Sequence, residues 1–170
     1  MADLYETMLN LLSIYRHDFL NHLQVIGGLT QLNKTEKIPH FVYKASEEIN
    51  QFGRLAACGN PYLALLIYES LYKDQDIIAL LEVKHCLSDI SADILECLAE
   101  VLALLRENLK MAGCKKLTIT LNGEDCSLSL LISGKLDGTS FWHPITESCK
   151  GGGLPYQVDL QENKLTMILK

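Results

Sequence analysis

The residues from Tyr15 to Leu29 read YRHDFLNHLQVIGGL and decide how the N-terminal part of the chain folds. Apolar residues recur in and just before this stretch at steps of three, four and seven: Leu9, Leu12, Phe19, Leu23 and Ile26. This periodicity predicts an amphipathic helix with a buried apolar stripe. At about 100° of rotation per residue, His17 points away from the stripe.

A polar strip is predicted on the side of the helix that carries His17. Asn21, Gln24 and Gly28 follow His17 at helical spacing. Because Gly28 has no side chain, the helix surface is accessible near the end of the strip. His22 falls on the flank of the apolar stripe instead. We therefore interpret His22 as a packed or interface histidine.

His17 is the candidate for chemistry, because Arg16 and Asp18 flank it and Asn21 lies one turn further on. An imidazole that accepts and releases a phosphoryl group needs an uncharged nitrogen, a neighbour that orients the other ring nitrogen, and open space for attack. Either Asp18 or Asn21 could do the orienting. The competing interpretation of His17 is an ordinary solvated surface histidine.

The stretch RHDFLNHLQ resembles the phosphoacceptor box R-H-D-x-x-N-x-L-Q of one branch of two-component signalling proteins. That branch comprises the sporulation initiation phosphotransferase B family and the related citrate/malate-type sensor histidine kinases. The matching positions are Arg16, His17, Asp18, Asn21, Leu23 and Gln24. The resemblance implies that His17 carries the phosphoryl group, with Arg16, Asp18 and Asn21 in supporting roles.

The composition describes one or two small globular domains, with 170 residues, 48% hydrophobic residues and a net charge of −6. The negative net charge argues against nucleic-acid binding and against membrane binding through a polybasic patch. No apolar run approaches the roughly 20 residues that span a bilayer, and no secretory signal is evident. Six scattered cysteines without a C-x-x-C pair predict reduced, mostly buried thiols in a cytoplasmic protein.

Two long helices are predicted for residues 1–59, which we expect to form one domain. The first runs from near Asp3 to about Leu32, and the second begins around Pro39 and ends near Gly59. Because a single hairpin cannot cover both apolar faces, we expect a homodimer in which two hairpins form a four-helix bundle. His17 would then lie on the outer surface of the bundle.

Residues 60–170 are expected to form a second, α+β domain. The predicted elements, in order, are a helix over Pro61–Lys73, a strand over Ile77–Cys86, a helix over Ser91–Met111, a hairpin of strands over Lys116–Leu121 and Ser127–Ile132, an irregular segment over Gly134–Gly153, and closing strands over Tyr156–Leu160 and Lys164–Leu169. This order resembles the ATP-binding domain of histidine kinases, an α/β sandwich. The resemblance implies that fold but not its activity.

The nucleotide-binding boxes of such kinases are degenerate here. The paired asparagines expected four residues apart fall on Ala103 and Glu107, or one step later on Leu104 and Asn108. Only Asp137 and Gly138 remain near the position of the D-x-G-x-G box. Gly151–Leu154 resembles the third, glycine-rich box only weakly. We therefore predict a relic that no longer uses ATP, with no cofactor in this chain and Mg²⁺ supplied by the partner.

These features and the resemblance predict a phosphorelay histidine phosphotransferase, and the resemblance alone implies a link to sporulation. It would pass a phosphoryl group between the receiver-domain aspartates of a donor and an acceptor response regulator. Two alternatives are a minimal soluble histidine kinase that autophosphorylates from ATP and a non-catalytic dimeric scaffold for response regulators. His85 and His143 lack metal-ligand spacing, and Trp142 is predicted to be a core plug or a local lid.

Overall fold

The computed structural model describes residues 4–72, 77–87, 89–134 and 136–170. The chain divides into two compact units, Ala2–Arg54 and Leu55–Lys170. The described part contains five α-helices and a five-stranded mixed sheet, which makes the chain an α+β protein. Two predicted helix ends, Asp3 and Lys73, lie outside the described residues.

The first unit is a helical hairpin. Helix α1 spans Leu4–Gln31, a short 3₁₀ turn covers Thr35–Lys37, and helix α2 spans Ile38–Ala56. Asn33 adopts a left-handed conformation with φ 55°, which reverses the chain after α1. Pro39 lies in the first turn of α2, where its missing N–H removes no hydrogen bond. The predicted hairpin is therefore confirmed.

Side chains from both helices hold the hairpin together. The rings of Tyr15 and Phe52 stack with centroids 4.5 Å apart. Further along, His22 Nε2 lies 3.1 Å from Glu48 Oε2, and the His22 ring meets the edge of Phe41 at 5.8 Å. These contacts set the antiparallel register of α1 against α2.

The second unit is built on a sheet whose strands lie in the order β1-β2-β3-β5-β4. The strands are β1 Ile78–Val83, β2 Lys116–Asn122, β3 Ser127–Ser133, β4 Tyr156–Asp159 and β5 Lys164–Ile168. β1 pairs parallel with β2, and all the other pairs are antiparallel. The strand over Ile77–Cys86 was predicted too long at both ends.

One face of the sheet forms the core of this unit. Leu117, Ile119 and Leu121 on β2 alternate with exposed or half-buried neighbours, as a strand with one covered face requires. Helices α3 (Pro61–Ile67) and α4 (Ala92–Met111) pack on each other, and a π-helical turn over Tyr68–Tyr72 continues α3. As predicted, the side chain of Ser91 caps α4, accepting a hydrogen bond from Ile94 N–H.

The prediction of an irregular segment over Gly134–Gly153 was wrong. Helix α5 spans Gly138–Gly151 within it and packs against α4, burying Phe141, Trp142, Ile145 and Cys149. The sequence did not predict this helix because glycines and Pro144 interrupt its apolar periodicity. Pro144 is tolerated because burial of one helix face outweighs the lost hydrogen bond. Trp142 is 2% exposed and fills the core as predicted.

None of the helices in the described ranges combines the length and the apolar character that a bilayer-spanning segment requires.

Candidate functional site

His17 occupies the middle of α1 and is open to solvent. Its side chain is 74% exposed, and Arg16 and Gln24 beside it are exposed as well. The contacts to α2 are made by Tyr15 and His22, which lie on the opposite side of α1. The helix therefore presents the His17 imidazole on the face that the hairpin does not use.

Two neighbours approach the same ring nitrogen of His17. Asp18 Oδ1 lies 3.2 Å from Nδ1, and Asn21 Nδ2 also lies 3.2 Å from Nδ1. Helical geometry explains the Asn21 contact, because a residue at i+4 stands one turn above. The structure thus brings together three of the four predicted site residues, and Arg16 stands beside them as an exposed cation.

The two contacts require opposite states of the imidazole. The Asp18 carboxylate accepts a hydrogen bond, so it needs a proton on Nδ1 of His17. The Asn21 amide donates through Nδ2, so it needs an unprotonated Nδ1. With Asp18 as the partner, the lone pair of a neutral ring resides on Nε2, which makes no hydrogen bond or ion pair with any described residue. The tautomer that pairs with Asp18 is therefore the one whose outward nitrogen is nucleophilic.

His22 has a structural role in the hairpin. Its side chain is only 17% exposed and is held between Glu48 and Phe41 of α2. This environment confirms the interpretation of His22 as a packed histidine. Sequence reasoning missed Glu48 and the Tyr15–Phe52 stack, because a contact between helices has no signature in local spacing.

The C-terminal unit brings together two residues that the sequence matched to nucleotide boxes. Asn108 and Asp137 line the same open groove of about 360 Å³, between the end of α4 and the start of α5. Asn108 is 8% exposed, and its Nδ2 donates a 2.8 Å hydrogen bond to the backbone carbonyl of Phe141. Asp137 Oδ2 accepts a hydrogen bond from Ser140 Oγ at 2.9 Å. Both side chains therefore stabilise the start of α5.

The remaining candidates from the sequence show local contacts. His85 Nδ1 lies 3.1 Å from Asn122 Oδ1, and His85 Nε2 lies 3.3 Å from Glu124 Oε1. All six cysteines are free thiols. Within the described ranges, no three His, Cys, Asp or Glu side chains cluster in a way that would hold a metal ion.

The site geometry and the hairpin agree with one family of signalling domains. Residues 2–58 match the family model described as the sensor kinase SpoOB-type alpha-helical domain. The N-terminal hairpin is thus similar to SpoOB-type alpha-helical domains, and this similarity supports a role in two-component phosphotransfer.

The other comparisons add little to this assignment. The search of the curated proteins finds no match. A solved structure titled "1.7 Angstrom Structure of a Bacterial Phosphotransferase" is 10% identical, with 98% of this chain and 97% of that chain covered. Its TM-score of 0.38 is too low for the likeness to support a shared fold or activity.

Proposed function

We propose that this protein is a phosphorelay histidine phosphotransferase that accepts a phosphoryl group on His17 from one response regulator and passes it to another. The observation that carries the proposal is the exposed His17 ring, whose Nδ1 lies 3.2 Å from the Asp18 carboxylate. That pairing leaves Nε2 as a nucleophile facing solvent, where a receiver domain could approach. The SpoOB-type match of residues 2–58 supports the same assignment.

The transfer step needs little machinery from this chain. The Nε2 lone pair of His17 attacks the phosphorus of an aspartyl phosphate, an N–P bond forms, and the bond from phosphorus to the aspartate oxygen breaks, releasing the carboxylate. Asp18 stabilises the positive charge that develops on the ring through the Nδ1–H contact. Positioning and charge stabilisation dominate such reactions, and the receiver domain would supply Mg²⁺. Reversal of these steps onto a second receiver domain completes the relay.

The proposed active form is a homodimer. Among the apolar side chains that the structure describes in α1, only Leu11 is buried. Six of the exposed ones form a continuous stripe along one side of the helix, and Val25 lies on a different side; the six are Met8, Leu9, Leu12, Phe19, Leu20 and Leu23. A second hairpin would cover this stripe and complete a four-helix bundle. Leu23 stands roughly 120° around α1 from His17, so the bundle would leave the imidazole outside.

Two features of the C-terminal unit support the proposal that this protein does not use ATP. A kinase site of the related type needs an amide that holds Mg²⁺ against the phosphates. Here the amide of Asn108 is buried and donates to the Phe141 carbonyl, and the position one turn earlier is Leu104. Glycines that would surround a nucleotide lie in α5 or at its end. We propose that this unit keeps the fold in a structural role and has lost the use of ATP.

The decisive experiment is transfer of radiolabelled phosphate from a panel of phosphorylated receiver domains to the purified chain. The expected product is an acid-labile, base-stable label, which an unlabelled second receiver domain then removes. His17→Gln should abolish the label. The matched control is His22→Gln, which changes the packed histidine on the same helix and should retain labelling.

The same experiment separates the two alternatives. Label acquired from γ-labelled ATP without a receiver domain would identify a histidine kinase. Binding of receiver domains without any transfer, unchanged by His17→Gln, would identify a scaffold. Either result would overturn the proposal.

A further inference from the structure

Two cysteines of the C-terminal unit lie side by side across the turn that follows α2. Cys58 belongs to this turn, and Cys86 belongs to the segment that follows β1. The Leu87 N–H donates a 2.6 Å hydrogen bond to the Cys58 carbonyl. The backbone after β1 therefore runs directly alongside Cys58.

Two glycines lie close to Cys86. Gly59 has φ +88°, and a Cβ added there would lie 2.9 Å from the Cβ of Cys86. On the other side, a Cβ added to Gly123 would overlap the Cys86 carbonyl group. Both glycines therefore allow the chain to approach Cys86 more closely than a residue with a side chain would permit, and Gly59 does so directly after Cys58.

Both sulfur atoms point at carbonyl groups of the same turn. Cys58 Sγ donates to the Asn60 carbonyl at 3.2 Å, and Cys86 Sγ donates to the Ala57 carbonyl at 3.3 Å. Burial raises the pKa of the Cys58 thiol, and the negative charge of a Cys86 thiolate raises it further, as expected for neighbouring sulfurs. Both thiols therefore border the same short turn and lie within electrostatic reach of each other.

The two thiols differ in accessibility. Cys86 is exposed, whereas Cys58 is 0% exposed. A small oxidant in solution therefore reaches Cys86 first. Cys58 is then the neighbouring thiol that can react with the oxidised Cys86. Cys97 and Cys149 form the other close pair, but both thiols are buried, so neither is accessible to an oxidant in solution.

We infer that Cys58 and Cys86 are a redox modification site, which forms an intramolecular disulfide with hydrogen peroxide. The Cys86 thiol loses its proton and the thiolate attacks one peroxide oxygen, an S–O bond forms, the O–O bond breaks, and the released hydroxide takes up that proton, which gives water and a sulfenic acid. Cys58 loses its proton and attacks the Cys86 sulfur, the S–S bond forms, and the S–O bond breaks to release a second water. Two thiols are oxidised, and one peroxide is reduced to two waters.

The test is a map of the cysteines in the full-length protein after limited peroxide treatment. Remaining thiols are blocked with N-ethylmaleimide, and the protein is digested without reduction and analysed by mass spectrometry. The expected product is a cross-linked peptide pair containing Cys58 and Cys86 in a single chain, which dithiothreitol separates. Cys86→Ser should abolish it, and the control Cys126→Ser, which removes a half-exposed thiol, should retain it.

A second variant traps the intermediate. In Cys58→Ala the resolving thiol is absent, so dimedone should label a sulfenic acid on Cys86. The inference is overturned if wild-type Cys86 pairs with another cysteine or another chain, or if it oxidises while Cys58 remains a free thiol. The wild-type map requires no variant to fold and does not depend on phosphotransfer.

Discussion

Asn108 on α4 donates a 2.8 Å hydrogen bond through Nδ2 to the backbone carbonyl of Phe141 on α5. The bond joins a residue that falls on a box position in one of the two possible registers with the helix that the sequence failed to predict. Since Asn108 is 8% exposed, loss of the amide would leave a largely buried carbonyl without its donor. The amide has thus become a structural link between two helices.

Removal of this amide is expected to destabilise the C-terminal unit. Asn108→Ala leaves the Phe141 carbonyl without its donor and should lower the free energy of unfolding by about 1–3 kcal/mol. Urea denaturation followed by circular dichroism measures the change. Glu107→Ala, an exposed change at the preceding position, should stay within about 0.5 kcal/mol. Equal stability of both variants would contradict the structural role of Asn108.

The tautomer of His17 should depend on Asp18. Asp18→Asn removes the carboxylate that favours a proton on Nδ1, so the proton should move toward Nε2 and phosphoryl transfer should slow by roughly tenfold or more. Nitrogen-15 NMR of the imidazole reads the tautomer directly. Asn21→Ala removes the competing donor and should shift the ring the opposite way. Unchanged nitrogen shifts in Asp18→Asn would show that the carboxylate does not orient the ring.

Self-association should depend on the exposed apolar stripe of α1. Leu23, which is 49% exposed, lies in that stripe, and Leu23→Asp should convert the dimer to a monomer because a charge would be buried without a partner. Val25 is 44% exposed but stands on a different side of α1, so Val25→Asp should remain dimeric. Light scattering after size-exclusion chromatography gives the mass. Dissociation of both variants, or of neither, would contradict the proposed interface.

Cys149 should resist alkylation in the folded protein. Burial, followed by the neighbouring Cys97, raises the pKa of Cys149 to about 11, so about one thiol in a thousand is ionised at pH 8. Iodoacetamide at pH 8 should therefore modify the exposed Cys86 long before Cys149, and peptide mass spectrometry measures the order. Rapid alkylation of Cys149 under native conditions would contradict its burial.

The raised pKa of Cys149 also has a consequence for stability. A group whose pKa is higher in the folded state contributes stability that is complete below its unfolded pKa and declines as the pH rises through the folded pKa. The unfolding free energy should therefore fall between pH 9.0 and about 11. Cys149→Ala should remove this part of the decline, as measured by urea denaturation across that pH range.

The sequence by itself determined the features that depend on local periodicity and local chemistry. The α1–α2 hairpin, the Ser91 cap of α4 and the alternating strands β2 and β3 all lie where spacing predicted them. Their apolar periods are regular, and the turns between them contain residues that suit turn conformations. The orientation of His17 away from α2 follows from helical rotation alone.

Only the tertiary structure decided features that depend on residues far apart in the chain. Helix α5 exists despite its glycines and Pro144 because α4 covers its apolar face. The His22–Glu48 ion pair and the placement of Cys86 beside Cys58 likewise arise from chain segments that meet only after folding. Long-range packing contributes free energy that no local pattern records, so these relationships become visible only in three dimensions.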